Sequence, residues 1–191
     1  MFEHIEPFYG WLHLYNHKMD ANSPFHDVEH NLFEYDRKIY TFNAHPLWDS
    51  IESESLLIKI LFTDYEKGYT IIEFLGEWND LFDNDFKLLC QNCLELLQRE
   101  GINKFILILE NVFHAYLDID DYYQDFWESI EEGGWMFLLR ARENVLAEFE
   151  NYNLGQYFYW SKSLDSIHWR KLKPWELYQI IQKSIERWLV Q

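Results

Sequence analysis

LLIKILFTDYEKGYTIIEFLGEW, residues 56–78, is the stretch that decides the fold. Two runs rich in β-branched and aromatic residues, 56–62 and 70–75, flank the segment DYEKG. Gly68 in that segment can take the positive φ of a tight turn, so the pattern predicts an antiparallel β-hairpin. Sparse glycines divide the chain from there to residue 160, which predicts further strands alternating with helices.

Three more apolar runs predict strands that complete a sheet. They are residues 104–109 (KFILIL), 135–139 (WMFLL) and 156–160 (QYFYW). The first two are near-continuous hydrophobic runs, which is typical of strands that are covered on both faces. Together with the hairpin they predict an α/β fold with a mixed sheet of about five strands.

Helices are predicted between and after these strands. After Gly76 we expect a polar loop, and then a helix that Asp83 or Asn84 caps and Gly101 ends. Two further helices are expected over residues 120–132 and 143–151, and a final amphipathic helix from Pro174 onward. The mid-helix position of the two cysteines, Cys90 and Cys93, indicates core packing rather than redox chemistry.

Length and composition indicate a single domain with three parts. We expect an irregular, aromatic-rich extension over residues 1–54 packed on the domain, an α/β domain over 55–161, and a C-terminal helix over 162–191. A net charge of −17 disfavours binding to nucleic acids and to anionic membrane surfaces. The sequence shows no leader pattern and no apolar run of membrane-spanning length, so we expect a soluble, cytoplasmic protein.

The extension holds six of the eight histidines and could bind a metal. A short helix over residues 25–35 and a strand over 37–42 are the elements expected in it. On a helix, the i, i+4 spacing places two imidazoles on one face, which suits zinc or iron. Two such pairs occur, namely His13 with His17 and His26 with His30. Histidines that are half-buried and hydrogen-bonded are the alternative, and no cofactor is predicted.

The order of elements from LLIKILF/TIIEFLGEW through the helix ending REG to the strand KFILILEN resembles the anti-sigma-factor antagonist (STAS) domain and its SpoIIAA-like relatives over residues 55–161. The resemblance implies a small interaction module whose switch serine lies where the third strand passes into the second helix. Residues 110–121 (ENVFHAYLDIDD) contain no Ser or Thr at that place. Asp118, Asp120 and Asp121 could supply a constant negative charge instead, or simply cap the helix.

Ligands of open α/β sheets gather beyond the carboxyl ends of parallel strands, which here are the loops expected after residues 75, 109 and 139. The candidate side chains in these loops are Glu77, Trp78, Asp80, Glu110, His114, Arg140 and Arg142. A pocket of carboxylates with one imidazole and two guanidinium groups could bind a divalent cation or a small anion. Solvated ion pairs between the same groups are the simpler interpretation.

Since catalytic signatures such as GxGxxG, the Walker loop and GxSxG are missing from the sequence, we expect a non-enzymatic module. It would bind a protein partner, either a different protein or a second copy of the chain. The contact surface would be the acidic edge at Asp118, Asp120 and Asp121 together with exposed aromatic residues. One alternative is a metal-dependent or small-ligand enzyme with His114 as acid/base and Glu77, Asp80 and Glu110 as ligands. Another is a binder of apolar ligands, which the many aromatic rings suggest.

Overall fold

A computed structural model describes residues 4–118, 121–130 and 132–189. The N-terminal segment forms a small sheet in the order β1-β3-β2, with β1 at His4–Ile5, β2 at Lys38–Ile39 and β3 at Phe42–Ala44. Residues 25–35 form turns instead of the expected helix, and the strand expected over 37–42 is a hairpin that bends at Tyr40, where φ is 53°. Those two predictions are therefore wrong in detail: the backbone reverses at Tyr40, and it is β3 that pairs with β1.

The main sheet has five strands in the order β4-β5-β6-β7-β8. Their bounds are Asp49–Ser50 for β4, Leu56–Asp64 for β5, Tyr69–Asn79 for β6, Lys104–Tyr116 for β7 and Trp135–Leu139 for β8. The β4–β5 and β5–β6 pairs are antiparallel, whereas β6–β7 and β7–β8 are parallel. The mixed α/β fold and the hairpin are confirmed, with Gly68 at φ 69° in the turn.

Two strands are longer than predicted, and one predicted strand is missing. Residues 77–79 continue β6 and residues 110–116 continue β7, because the two segments pair with each other out to the contact between Asn79 and Tyr116. At the other edge, residues 156–160 contribute a single bridge, from Tyr159 to Phe137, instead of a strand. The fifth strand is β4, which comes from the part of the chain expected to form the extension.

Five α-helices accompany the sheet in the part of the chain that the structure describes. Their bounds are Asp85–Leu89 for α1, Glu95–Arg99 for α2, Asp121–Ser129 for α3, Glu143–Asn151 for α4 and Pro174–Leu189 for α5. A π-helical turn, Cys90–Leu94, joins α1 directly to α2, and both cysteines in it are buried. Asn84 precedes α1 in a left-handed conformation without a side-chain cap, and Asp80 caps the helix instead by accepting a hydrogen bond from the Phe86 amide at 2.9 Å.

The main sheet is covered on both faces. One face packs against the helices α1 to α4 through a core that includes Phe74, Trp78, Phe105 and Phe149. The opposite face packs against α5 and the aromatic side chains of the first segment, and the residues buried there include Trp11, Trp169, Leu177, Ile181 and Ile185. No helix in the described ranges combines the length and the apolar character that crossing a membrane requires.

Candidate functional site

The three parallel strands end at different positions along the strand direction, and β8 ends first. Leu139 of β8 pairs with Ile108, whereas β6 and β7 continue together to Asn79 and Tyr116. Among the described residues, β8 therefore covers only the first part of β7, up to Ile108. Side chains from the start of α4 cover the part that follows, because Arg142 Nε donates to the Glu110 carbonyl at 3.3 Å and Asn144 Nδ2 to the Phe113 carbonyl at 2.9 Å.

The predicted site residues divide into separate groups, and the first group is internal. Trp78 Nε1 donates to the Tyr123 hydroxyl at 3.0 Å, and that hydroxyl donates to Asp80. All three side chains are buried, and the Tyr123 ring stacks on Phe86 at 3.9 Å. Burial raises the pKa of Asp80 to about 6, although hydrogen bonds from Tyr123 and the Phe86 amide oppose the rise. This network ties α1 and α3 to β6 and is closed to solvent.

The second group is a network of ion pairs around Glu110. Arg140 Nη2 lies 3.2 Å and Arg170 Nη1 2.6 Å from its two carboxylate oxygens. Partial burial by itself would raise the pKa of Glu110, but its contacts with Arg170 and Arg140 bring the net pKa below the ordinary value. Both oxygens of the carboxylate thus face guanidinium groups, which favours the ion-pair interpretation of these residues over the ligand interpretation.

Glu73 belongs to the same network, although the sequence pattern did not single it out as a candidate site residue. It is 1% exposed, accepts a hydrogen bond from the Phe8 amide at 2.8 Å, and lies 3.5 Å from Arg170 Nη2. Burial raises its pKa to about 7, against the opposing effects of the Phe8 amide and Arg170. The signal for it was present as a single acidic residue inside the apolar run TIIEFL.

The third group is exposed and lies where β6 and β7 run side by side. Glu77 pairs with His114 across the ladder, and the Tyr40 hydroxyl donates a hydrogen bond to Glu77. The His114 ring lies 6.0 Å from the Tyr40 ring and 6.1 Å from the Tyr116 ring. Because Glu77 and His114 are strand residues rather than loop residues, their positions are set by the ladder.

Large apolar side chains continue this exposed group along the turn after β6. The Asp80 and Leu81 amides donate to the Tyr116 carbonyl at 2.8 and 3.4 Å, which holds the turn beside the end of β7. Phe82 is 81% exposed, Tyr40 52%, Leu81 48% and Tyr116 42%. We call Tyr40, Leu81, Phe82, His114 and Tyr116 the strand-end rim. Four of its members, Tyr40, Leu81, Phe82 and Tyr116, were not singled out in the sequence, because local pattern does not show which apolar residues stay exposed.

The acidic edge lies just beyond the rim in the chain. Asp118 is exposed after β7, and Asp121 is exposed at the first position of α3, where a carboxylate complements the helix dipole. Asp120 lies outside the described residues. Asp121 therefore stands where the capping interpretation expects an acidic residue.

The four candidate histidines do not pair as the spacing predicted. The segment is made of turns apart from a short 3₁₀ helix, His17–Met19, so the i, i+4 pairs do not share a helix face. His13 is exposed, and His26 Nε2 lies 4.0 Å from Asp27 Oδ1. His17 and His30 instead meet each other and Asp49, a residue that the sequence did not suggest.

A groove beside the segment that bridges to β8 is lined by aromatic rings. Its volume is about 780 Å³, and Phe158, Tyr159, Trp160 and Trp188 contribute to its walls. The Trp188 ring is 64% exposed and meets the edge of Tyr159 at 5.6 Å.

No protein-family model matches the chain, and its sequence has no significant match among the curated proteins. Fold and surface therefore define its class as a mixed α/β protein with a buried polar network, a network of ion pairs and an exposed apolar rim at the strand ends.

Proposed function

We propose that the protein is a non-enzymatic interaction module that binds another protein through the strand-end rim. The observation that carries the proposal is the solvent exposure of Phe82, Tyr40, Leu81 and Tyr116 at one edge of the fold. Clustered exposed apolar side chains mark binding surfaces in soluble proteins, and aromatic residues are enriched at the centres of interfaces.

Charge favours a partner that differs from this chain. Each copy carries a net charge of −17, so two copies would repel each other, whereas a partner with basic residues around an apolar centre would be attracted. In this proposal the module acts in the cytoplasm and has the arrangement of the STAS and SpoIIAA-like domains. An antiparallel hairpin followed by parallel β7 and β8 supports that likeness.

The residues suggested as an enzyme active site support that alternative less well than the exposed rim supports protein binding. Asp80 is buried against Tyr123, and Glu110 is occupied by two arginines, so neither presents a carboxylate to a substrate beside His114. Glu77 is bonded to Tyr40 in the rim. These contacts give each acid a partner inside the protein.

Photocrosslinking tests the interaction proposal. With benzoylphenylalanine at position 82, the tagged chain in cells of its source organism should form an adduct with another protein, and Tyr116→Ala with Tyr40→Ala should remove the adduct. Substituting the same group at Phe33, which is 94% exposed but outside the rim, is the matched control and should give no such adduct. The same adduct from position 33, or an adduct with a second copy of the chain alone, would overturn the proposal.

The aromatic groove favours a second candidate function, the binding of an apolar ligand. A volume of about 780 Å³ suits a drug-sized molecule. Anilinonaphthalene sulfonate should bind there with a rise in fluorescence, and Trp188→Ala should weaken its binding by about 10-fold through loss of ring contact. Leu189→Ala, which removes a neighbouring side chain that is 67% exposed, is the control and should leave the affinity unchanged. Equal effects of the two variants would exclude the groove as the site.

A further inference from the structure

His17, His30 and Asp49 meet where the N-terminal segment lies against β4 and β5. One ligand atom from each of the three residues lies within 4.8 Å of the other two. The two imidazole rings are 5.5 Å apart and nearly perpendicular, at 86°. His30 Nε2 lies 2.7 Å from Asp49 Oδ1, and all three side chains are nearly inaccessible to solvent. Two imidazoles and a carboxylate thus converge on one small volume.

The hydrogen bonding of this cluster is incomplete. His17 Nε2 and His30 Nδ1 are both buried and have no hydrogen-bond partner among the residues that the structure describes. Buried polar atoms are rarely left without a partner, because removal from water then goes uncompensated. The unpartnered His17 nitrogen therefore indicates that the cluster lacks a component, whereas His30 Nδ1 is the ring nitrogen that does not contact Asp49.

We infer that His17, His30 and Asp49 form a binding site for a divalent transition-metal ion, with zinc as the preferred ion. Two imidazole nitrogens and one carboxylate oxygen form a ligand set that zinc accepts, and a fourth position would remain for water. The ion would take the position of the proton between His30 Nε2 and Asp49 Oδ1, and that proton would move to His30 Nδ1 or be released to solvent.

The surroundings of the cluster suit this role. Lys59 Nζ holds the second carboxylate oxygen of Asp49 at 3.1 Å, so the first oxygen faces the histidines in a fixed orientation. A cavity of about 260 Å³ is lined by residues that include His30 and Asp49, and one of about 120 Å³ by residues that include His17 and Lys59.

The first test is metal binding by the full chain. Protein stripped with a chelator and dialysed against zinc chloride should retain one zinc ion per chain and melt at a higher temperature, since a ligand of the native state stabilises it. Cobalt(II) at the same site should give the strong visible absorption of a four-coordinate centre. His17→Gln and His30→Gln should each lower the zinc affinity by at least about 100-fold, whereas His13→Gln, which changes an exposed histidine of the same segment, should not.

A second variant separates ligation from folding. In His17→Cys, a thiolate replaces the imidazole as ligand, so zinc binding should persist and cobalt should show an additional sulfur-to-metal charge-transfer band. Circular dichroism of each stripped variant shows whether its fold is retained. The inference is overturned if the wild type binds zinc, cobalt and manganese no better than the folded His17→Gln variant, or if the cysteine variant binds cobalt without the sulfur band.

Discussion

Replacing Gly76 with alanine is expected to lower the free energy of unfolding by about 3–5 kcal/mol. Gly76 lies inside β6 at φ 126°, a conformation that residues with a side chain rarely adopt. A Cβ atom there would lie 2.0 Å from the Ser55 carbonyl oxygen and 2.9 Å from Ile39 Cδ1. Since one obstacle is the backbone immediately before β5, the start of β5 and β6 would have to separate locally.

Chemical denaturation of the alanine variant measures this effect, and Gly101→Ala is the matched control. Gly101 also has a positive φ, of 90°, but a Cβ atom there would meet nothing within 4 Å. That variant should lose only about 1–2 kcal/mol of stability, which is the cost of placing a residue with a side chain in a left-handed conformation. If both alanines cost the same, steric conflict with Ser55 does not explain the requirement for glycine at position 76.

Replacing Glu73 with glutamine is expected to remove about 3 kcal/mol of pH dependence from the stability. Burial raises the pKa of Glu73 from 4.5 to about 7, with the Phe8 amide and Arg170 opposing the rise and Glu110 adding to it. The unfolded chain releases this proton near the ordinary value. Between the two pKa values the folded state therefore binds more protons, and the stability of the wild type falls as the pH rises, with the full loss reached above about pH 7.

Denaturation curves from about pH 4 to pH 8 measure the pH-dependent contribution of Glu73 to the free energy of unfolding, as the difference between wild type and Glu73→Gln. Their stability difference should shift in favour of the variant as the pH rises. Glu110→Gln is the matched control, because Glu110 contacts the same arginine but has a lowered pKa. A lowered pKa contributes stability that is lost as the pH falls, so this variant should change the pH dependence in the opposite sense. A parallel response of the two variants would contradict the assigned burial of Glu73.

Local pattern was sufficient for the elements whose signals lie within a few residues. The hairpin, the strand Trp135–Leu139 and the helix Glu143–Asn151 follow from runs of apolar residues and from flanking turn residues. The far ends of β6 and β7 did not follow, because polar residues such as Glu77 and His114 join a strand only when a partner strand lies beside them. Residues 156–160 had strand composition, but only Tyr159 reached a partner.

The predicted site residues show the same limit of local sequence information more clearly. Sequence spacing selected His17 and His30 as metal ligands but paired them with His13 and His26, because it assumed a helix that does not form. Asp49 was missed because it lies 19 residues from His30 in the chain and reaches it only through β4. The partners of the strand-end acids Asp80 and Glu110, which are Tyr123 and Arg170, are distant from them in sequence, so local pattern could not show these contacts.

By itself the sequence determined the α/β class, the central hairpin, the covering helices and the acidic charge, because these depend on composition and short-range periodicity. Only the tertiary structure decided which carboxylates are buried, which apolar side chains stay exposed at the strand-end rim, and that His17, His30 and Asp49 meet. Such properties depend on long-range packing, since burial, ion pairing and ligand geometry arise from segments that the chain brings together only when it folds.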